Sequence, residues 1–125
     1  MSNISARYPY EAPVTAYGNG GFRFAGMSHK GSILCLPSGV YAWDADLAEA
    51  LTVQHFARVL AELPASGVLL LGTGATQVFP SAEITRAFAE RRLSLEPMST
   101  GAAARTYNVL LNEKRLVAAA LIAVP

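Results

Sequence analysis

The sequence predicts an α/β fold: a central mixed, mostly parallel sheet flanked by helices, with a small antiparallel β layer from the N-terminal half. Two patterns predict it. From residue 52 onward, stretches with apolar residues at helical spacing alternate with short apolar runs. The resulting order, helix and strand three times over, builds a largely parallel, helix-covered sheet. Residues 14–43 instead read as short strands broken by glycine, with turns too short for anything but antiparallel pairing. Composition agrees. The chain has 125 residues, 52% apolar and 15% charged, too apolar and too weakly charged for disorder. It is long enough to bury a core without cross-links. No repeat, linker or low-complexity tract divides it, so residues 1–125 are expected to form one domain.

Residues 1–13, with Pro9 and Pro13 and little apolar periodicity, are expected to form an irregular arm. Phe22-Arg23-Phe24 alternates after Gly18, Gly20 and Gly21, as a half-buried strand does. Two further runs, 32–36 and 40–43, are joined by Pro37-Ser38-Gly39, a turn composition. Val53, Phe56, Ala57, Leu60 and Leu63 share one helical face, with Thr52 as the expected N-cap and Pro64 and Gly67 as the stop. Val68 to Leu71 is continuously apolar, the pattern of a strand buried on both faces. Ser81 caps a second helix with Ile84, Ala87 and Phe88 inward. Residues 93–98 form a strand, residues 100–112 a third helix with Ala103, Tyr107, Leu110 and Leu111 inward, and residues 116–122 a closing strand.

The balance of charge excludes whole classes of partner. Ten Lys and Arg against nine Asp and Glu give a net charge of +1, without the basic surplus that nucleic-acid binding uses. Cys35 is the single cysteine; it rules out an internal disulfide and a multi-cysteine zinc cage and fits a reducing compartment. No apolar stretch follows Arg7 as in a secretory signal. The longest apolar run, 116–124, is far shorter than the roughly 20 residues of a spanning helix. The expectation is a soluble chain with no transmembrane segment.

Two places could hold a ligand. Gly72-Thr73-Gly74 follows a buried strand, where glycines let a backbone approach a pyrophosphate, and Glu96 lies near where a ribose-binding acid would fall. The third glycine position of that motif holds Gln77, and the next helix starts only near Ser81. A strand-end turn needing positive φ explains the glycines equally directly. In Met98-Ser99-Thr100-Gly101-Ala102-Ala103 a strand runs at once into a helix. Small residues there leave first-turn N–H groups open to an anion; alternatively Thr100 caps its own helix and the alanines pack on the sheet. Parallel neighbours would bring Gly72 and Thr100 to the same sheet edge. Elsewhere Cys35 reads as a packed thiol, His29 as a loop residue, His55 as a helix-surface residue and Asp44 and Asp46 as turn acids. No catalytic residue, metal ligand or cofactor is expected.

The most specific pattern is Met98-Ser99-Thr100-Gly101-Ala102-Ala103-Ala104-Arg105-Thr106-Tyr107-Asn108, followed by Glu113-Lys114-Arg115 before the closing strand. With Gly72-x-Gly74, Pro80-Ser81 and Trp43, it resembles a small-domain family of largely unknown function. Mitochondrial members of that family include an assembly factor of respiratory complex I. The resemblance runs from about residue 14 onward. Ser99 stands where an acid is more usual in the family and Lys114 where glycine is. The resemblance implies a three-layer α/β fold. It also implies a non-enzymatic binding or assembly protein with a protein partner, such as a membrane or respiratory component, in the cytoplasm or, in a eukaryote, the mitochondrial matrix, peripheral to a membrane. The site residues it points to are Gly72, Thr73, Gly74, Met98, Thr100, Arg105, Thr106 and Asn108. Arg105 and Asn108, three apart, would share one polar helix surface. The alternative is a small-molecule binder or enzyme, for an anionic ligand or nucleotide, using the crevice at Gly72 and Thr100.

Overall fold

A computed structural model describes residues 6–125. Eight strands and three α-helices follow in the order β1 (Val14–Gly18), β2 (Gly21–Phe24), β3 (Met27–Lys30), β4 (Ile33–Leu36), β5 (Gly39–Ala42), α1 (Ala57–Glu62), β6 (Val68–Gly72), α2 (Ala82–Glu90), β7 (Ser94–Met98), α3 (Thr100–Asn112) and β8 (Val117–Leu121). Strands β1, β2 and β3 form an antiparallel sheet in that order. The larger sheet has the order β5-β4-β8-β6-β7. Its β6–β7 and β6–β8 pairings are parallel, while β4 pairs antiparallel with both β5 and β8. The runs at 32–36 and 40–43 therefore extend the central sheet; the small layer comes from residues 14–30 alone.

The sheet sorts its side chains to two faces by the strand period of two. Leu34, Leu36, Leu69, Leu71, Ala118 and Ala120 face one cluster, which Phe56, Val59, Ile84 and Phe88 complete from α1, α2 and the turn before α1. Ile33, Cys35, Leu70, Val117, Ala119 and Leu121 face the other, closed by Ala103, Ala104 and Tyr107 of α3 and by Phe22 and Phe24 of β2. This three-layer arrangement explains why β4 and β8 are buried at every position and why neither alternates in sequence. Ala118-Ala119-Ala120, helix-friendly residues, stand in the middle of the sheet because layers on both sides come close there.

Local chemistry sets the helix starts. The Thr52 segment opens as a 3-10 turn, Val53–Phe56, and only then becomes α-helical. His55 Nδ1 accepts the Thr52 backbone N–H at 2.9 Å, so this histidine closes the helix start rather than merely standing on its surface. Ser81 Oγ accepts the Ile84 N–H, as its sequence position predicts. The arm also carries regular pairing: Tyr8 bridges Val40, with Arg7 N–H donating to the Val40 carbonyl at 2.7 Å. It thereby covers part of the β5 edge. At the opposite edge, β7 carries Pro97, and Gln77 Nε2 donates to the Pro97 carbonyl at 2.8 Å. A proline without an N–H and a side-chain cap on its carbonyl blunt an edge that could otherwise recruit another strand.

Candidate functional site

The register places the sequence-predicted residues together. Gly72 lies opposite Met98 on one side and Leu121 on the other, so the ends of β6, β7 and β8 and the start of α3 meet at one sheet edge. Thr100 is the centre of this junction and is fully buried. Its hydroxyl donates to the Ile122 carbonyl at 2.7 Å and accepts the Gly74 N–H at 2.9 Å. Its own N–H donates to the Gly74 carbonyl at 2.8 Å. Thr100 is thus not the N-cap of α3. Ser99 is, with its Oγ accepting from Ala102 N–H. Thr100 instead ties three segments, since its hydroxyl is both donor and acceptor.

The glycine turn divides its two requirements between two residues. Gly74 takes φ +105°, a backbone region that side chains avoid. Gly72 has no such φ; a Cβ there would stand 2.9 Å from the Thr100 Cα and 3.0 Å from Leu121 Cδ2. Close helix–strand packing is its reason. Between them Thr73, almost fully buried, donates its hydroxyl to the Thr76 carbonyl at 2.6 Å and accepts the Val78 N–H at 3.0 Å. The Thr73 N–H goes to the Met98 carbonyl. The Thr73 and Gly74 N–H groups and the Thr73 hydroxyl are thus bonded within the chain. Glu96 lies exposed on the β7 edge.

Helix α3 separates the two polar residues that the sequence places on one surface. Asn108 turns to β1, where its Oδ1 accepts the Val14 N–H at 2.9 Å and its Nδ2 donates to the Val14 carbonyl at 2.8 Å. The side-chain amide copies the pairing of a neighbouring strand. Arg105 is exposed and makes no ion pair among the described residues, while Thr106 is half-buried. Met98 packs partly buried against the cluster beneath α3. Over the first turn of α3, the Tyr17 hydroxyl sits against Gly101, with the Arg105 guanidinium beside it. Sequence reasoning missed Tyr17, whose strand shows no apolar alternation.

The remaining candidates have structural places. His29 lies in β3, not in a loop, paired with Phe22. Burial and then the Arg7 charge lower its pKa, against a backbone hydrogen bond at Ser32 that raises it. Burial pushes the Cys35 thiol up to about 12, which leaves it unreactive. Tyr107, fully buried, has a hydroxyl with no hydrogen-bond partner among the described residues. Burial first, then Cys35 and Glu11, raise its pKa well above the ordinary tyrosine value. Asp44 and His55 line a separate open groove of about 650 Å³, floored by Leu34, Ala42 and Trp43. Among the described residues no three His, Cys, Asp or Glu side chains converge on a metal-sized site, and no helix is long and apolar enough to cross a membrane.

Known proteins share this arrangement. An uncharacterized protein of Rhodobacter capsulatus is 34% identical over 113 residues, covering 90% of this chain and 86% of its own length. The zebrafish protein called NADH dehydrogenase [ubiquinone] 1 alpha subcomplex assembly factor 3 is 32% identical over 112 residues, 90% of this chain. The chain spans 64% of that longer relative. The crystal structure of a Bartonella henselae protein, described as an outer membrane protein, superposes with a TM-score of 0.89 at 50% identity, covering 95% of this chain and all of that one. The family model described as "Protein of unknown function (DUF498/DUF598)" matches residues 14–122, nearly all of the described chain, and the protein belongs to that family.

Proposed function

We propose that the chain is a non-enzymatic binding protein that assists assembly of a respiratory or other membrane-associated complex. The observation that carries this reading is the relation to the zebrafish assembly factor across 90% of the chain. The geometry supports it from the other side. The hydroxyl of Thr100 and the N–H of Gly74 are engaged in joining the end of β6, the residue after β8 and α3, and the hydroxyl of Thr73 is bonded within its own loop, which withdraws these groups from a nucleotide or anion. What the motif offers outward is Arg105 with half-buried Thr106, and an exposed arginine suits a protein interface. On this reading the protein works beside a membrane, in the cytoplasm of a bacterium or the matrix of a mitochondrion. Deleting its gene in the native host and resolving membrane complexes by native electrophoresis tests the proposal. Loss or delay of an assembled complex, restored by the wild-type gene, is the expected result; complexes of normal abundance and assembly rate overturn it.

A further inference from the structure

The face of the small sheet turned away from the core has an unusual make-up. Phe22 and Phe24 point into the core, so by the period of two Arg23 points outward. Arg23 lies between Ala16 of β1 and Ser28 of β3. The next row on this face, two residues along, is Gly18, Gly21 and Lys30. Two of the three positions in this second row carry no side chain. The result is a depression of about 320 Å³ over the sheet, bordered by Arg23 and Lys30, with the row Tyr17, Phe22 and His29 between them. Arg23 is held in place there by its Nη1 hydrogen bond to Ser28 Oγ at 2.8 Å.

Charge around the depression has one sign. From Val14 to Trp43 the sequence contains no Asp or Glu, while it contains Arg23 and Lys30. Seven of the nine acids fall between Asp44 and Glu96, in the segment that builds α1, α2 and β7. Arg58, Arg86, Arg91 and Arg92 share that segment, whereas the depression is lined by Arg23 and Lys30 and by no acid. Such a surface attracts an acidic partner over a Debye length and fixes its orientation.

We propose that this depression is the docking surface for an extended acidic segment of a protein partner, with Arg23 and Lys30 pairing its carboxylates and Gly18, beside which a side chain would find open space, letting its backbone lie close to the sheet. The proposal rests on the reading that the chain binds a protein. The shape favours a peptide: the two cations stand on successive outward-facing rows, two residues apart along the strands, a spacing that alternate carboxylates of an extended strand can meet.

The test uses the ¹⁵N-labelled full chain, titrated with a short peptide alternating glutamate and threonine. Amide shifts confined to β1, β2 and β3 are expected, weakening as salt rises. The same peptide with lysine for glutamate should cause none. Arg23→Glu with Lys30→Glu, both exposed, should keep the wild-type melting curve and lower peptide affinity about tenfold or more, because attraction becomes like-charge opposition. Ala16→Glu, which leaves both cations in place, should weaken binding as well. Shifts on another face, no shifts at all, or unchanged affinity in the double variant overturn the proposal. So does a face that responds to phosphatidylglycerol vesicles and not to the peptide. Co-purification from the native host separates this from the broader reading. If the double variant retains every protein that the wild type brings down, binding stands and this surface does not. If the wild type brings down none, the binding reading itself fails.

Discussion

Thr100 and Asn108 show how the most recognisable residues of the chain came to be misread from sequence. Both are polar residues on a helix, and the helix period places Asn108 beside Arg105. The period says nothing of what the residue meets, and Asn108 meets the open edge of β1. Asn108→Ala should cost about 2 kcal/mol, since it removes two hydrogen bonds to partly buried backbone groups, and should speed hydrogen exchange at Val14. Arg105→Ala should change stability by no more than about 0.5 kcal/mol, the range of surface substitutions without a bonded partner; a large thermal loss would show that Arg105 is structural. Thr100→Val keeps the shape and strands the Gly74 N–H and Ile122 carbonyl. Each stranded group costs about 1–3 kcal/mol. Thr100→Ser should recover most of that loss in urea unfolding, because it retains the hydroxyl. That Gly72 and Thr100 are neighbours was legible from the strand order; that Ser99 caps the helix and Thr100 does not was hidden, since either hydroxyl suits the position.

At the scale of elements, the start of α2 was plain in the sequence. Ser81 sits where an N-cap should. The ends of α2 and α3 carry no glycine, yet both close with the same left-handed residue. Arg92 has φ +59° and Lys114 φ +60°. Leu93 N–H returns to the Phe88 carbonyl and Arg115 N–H to the Leu110 carbonyl, both at 3.0 Å, the bonding of a Schellman turn. Lys114 thus stands in a conformation where glycine is least strained. Lys114→Gly should raise stability by about 1 kcal/mol, read as a higher denaturant midpoint with an unchanged slope. Among the strands, the continuous apolar run of β6 was plain. Leu71→Ala, at a fully buried position, should cost about 2–5 kcal/mol; an unchanged melting curve would remove β6 from the sheet centre. Strands β1 and β3 were invisible individually because exposed residues such as Ala16, Ser28 and Lys30 fall in short runs, and a strand of four or five residues offers too few turns of its period to register.

For the molecule as a whole, the alternation of helix and strand foretold the layers, while the sharing of the first-half strands between two sheets had no sequence signal: β3 and β4 are separated by only two residues yet belong to different sheets. Burial of the Cys35 thiol and the Tyr107 hydroxyl between those layers has a whole-molecule consequence. Both pKa values are raised in the fold, Cys35 from 9.0 to about 12. Below pH 9 both groups are neutral folded or unfolded, and the stability they contribute is fully present. As pH rises further, the unfolded chain releases protons that the fold retains, and stability falls by at most about 1.4 kcal/mol per pH unit for each group. Urea unfolding at a series of pH values should show a plateau to about pH 9 and a decline above it, less steep in Cys35→Ala. A stability that holds level into strong alkali would contradict the burial of both groups.

The position of β8 has a consequence for biosynthesis. This strand lies in the middle of the larger sheet, between β4 and β6, yet it follows every other strand in chain order. During translation the ribosome delivers β4 and β5 early, then β6 and β7, as two strand pairs with nothing to join them. Only when residues 117–121 leave the exit tunnel can the sheet close. Until then the apolar edges of β4 and β6 lie open in the nascent chain, the condition in which misassociation with other chains is greatest. Folding is therefore expected to be completed after synthesis of β8 rather than progressively during it, and a ribosome stalled shortly before Val117 should display a protease-sensitive chain.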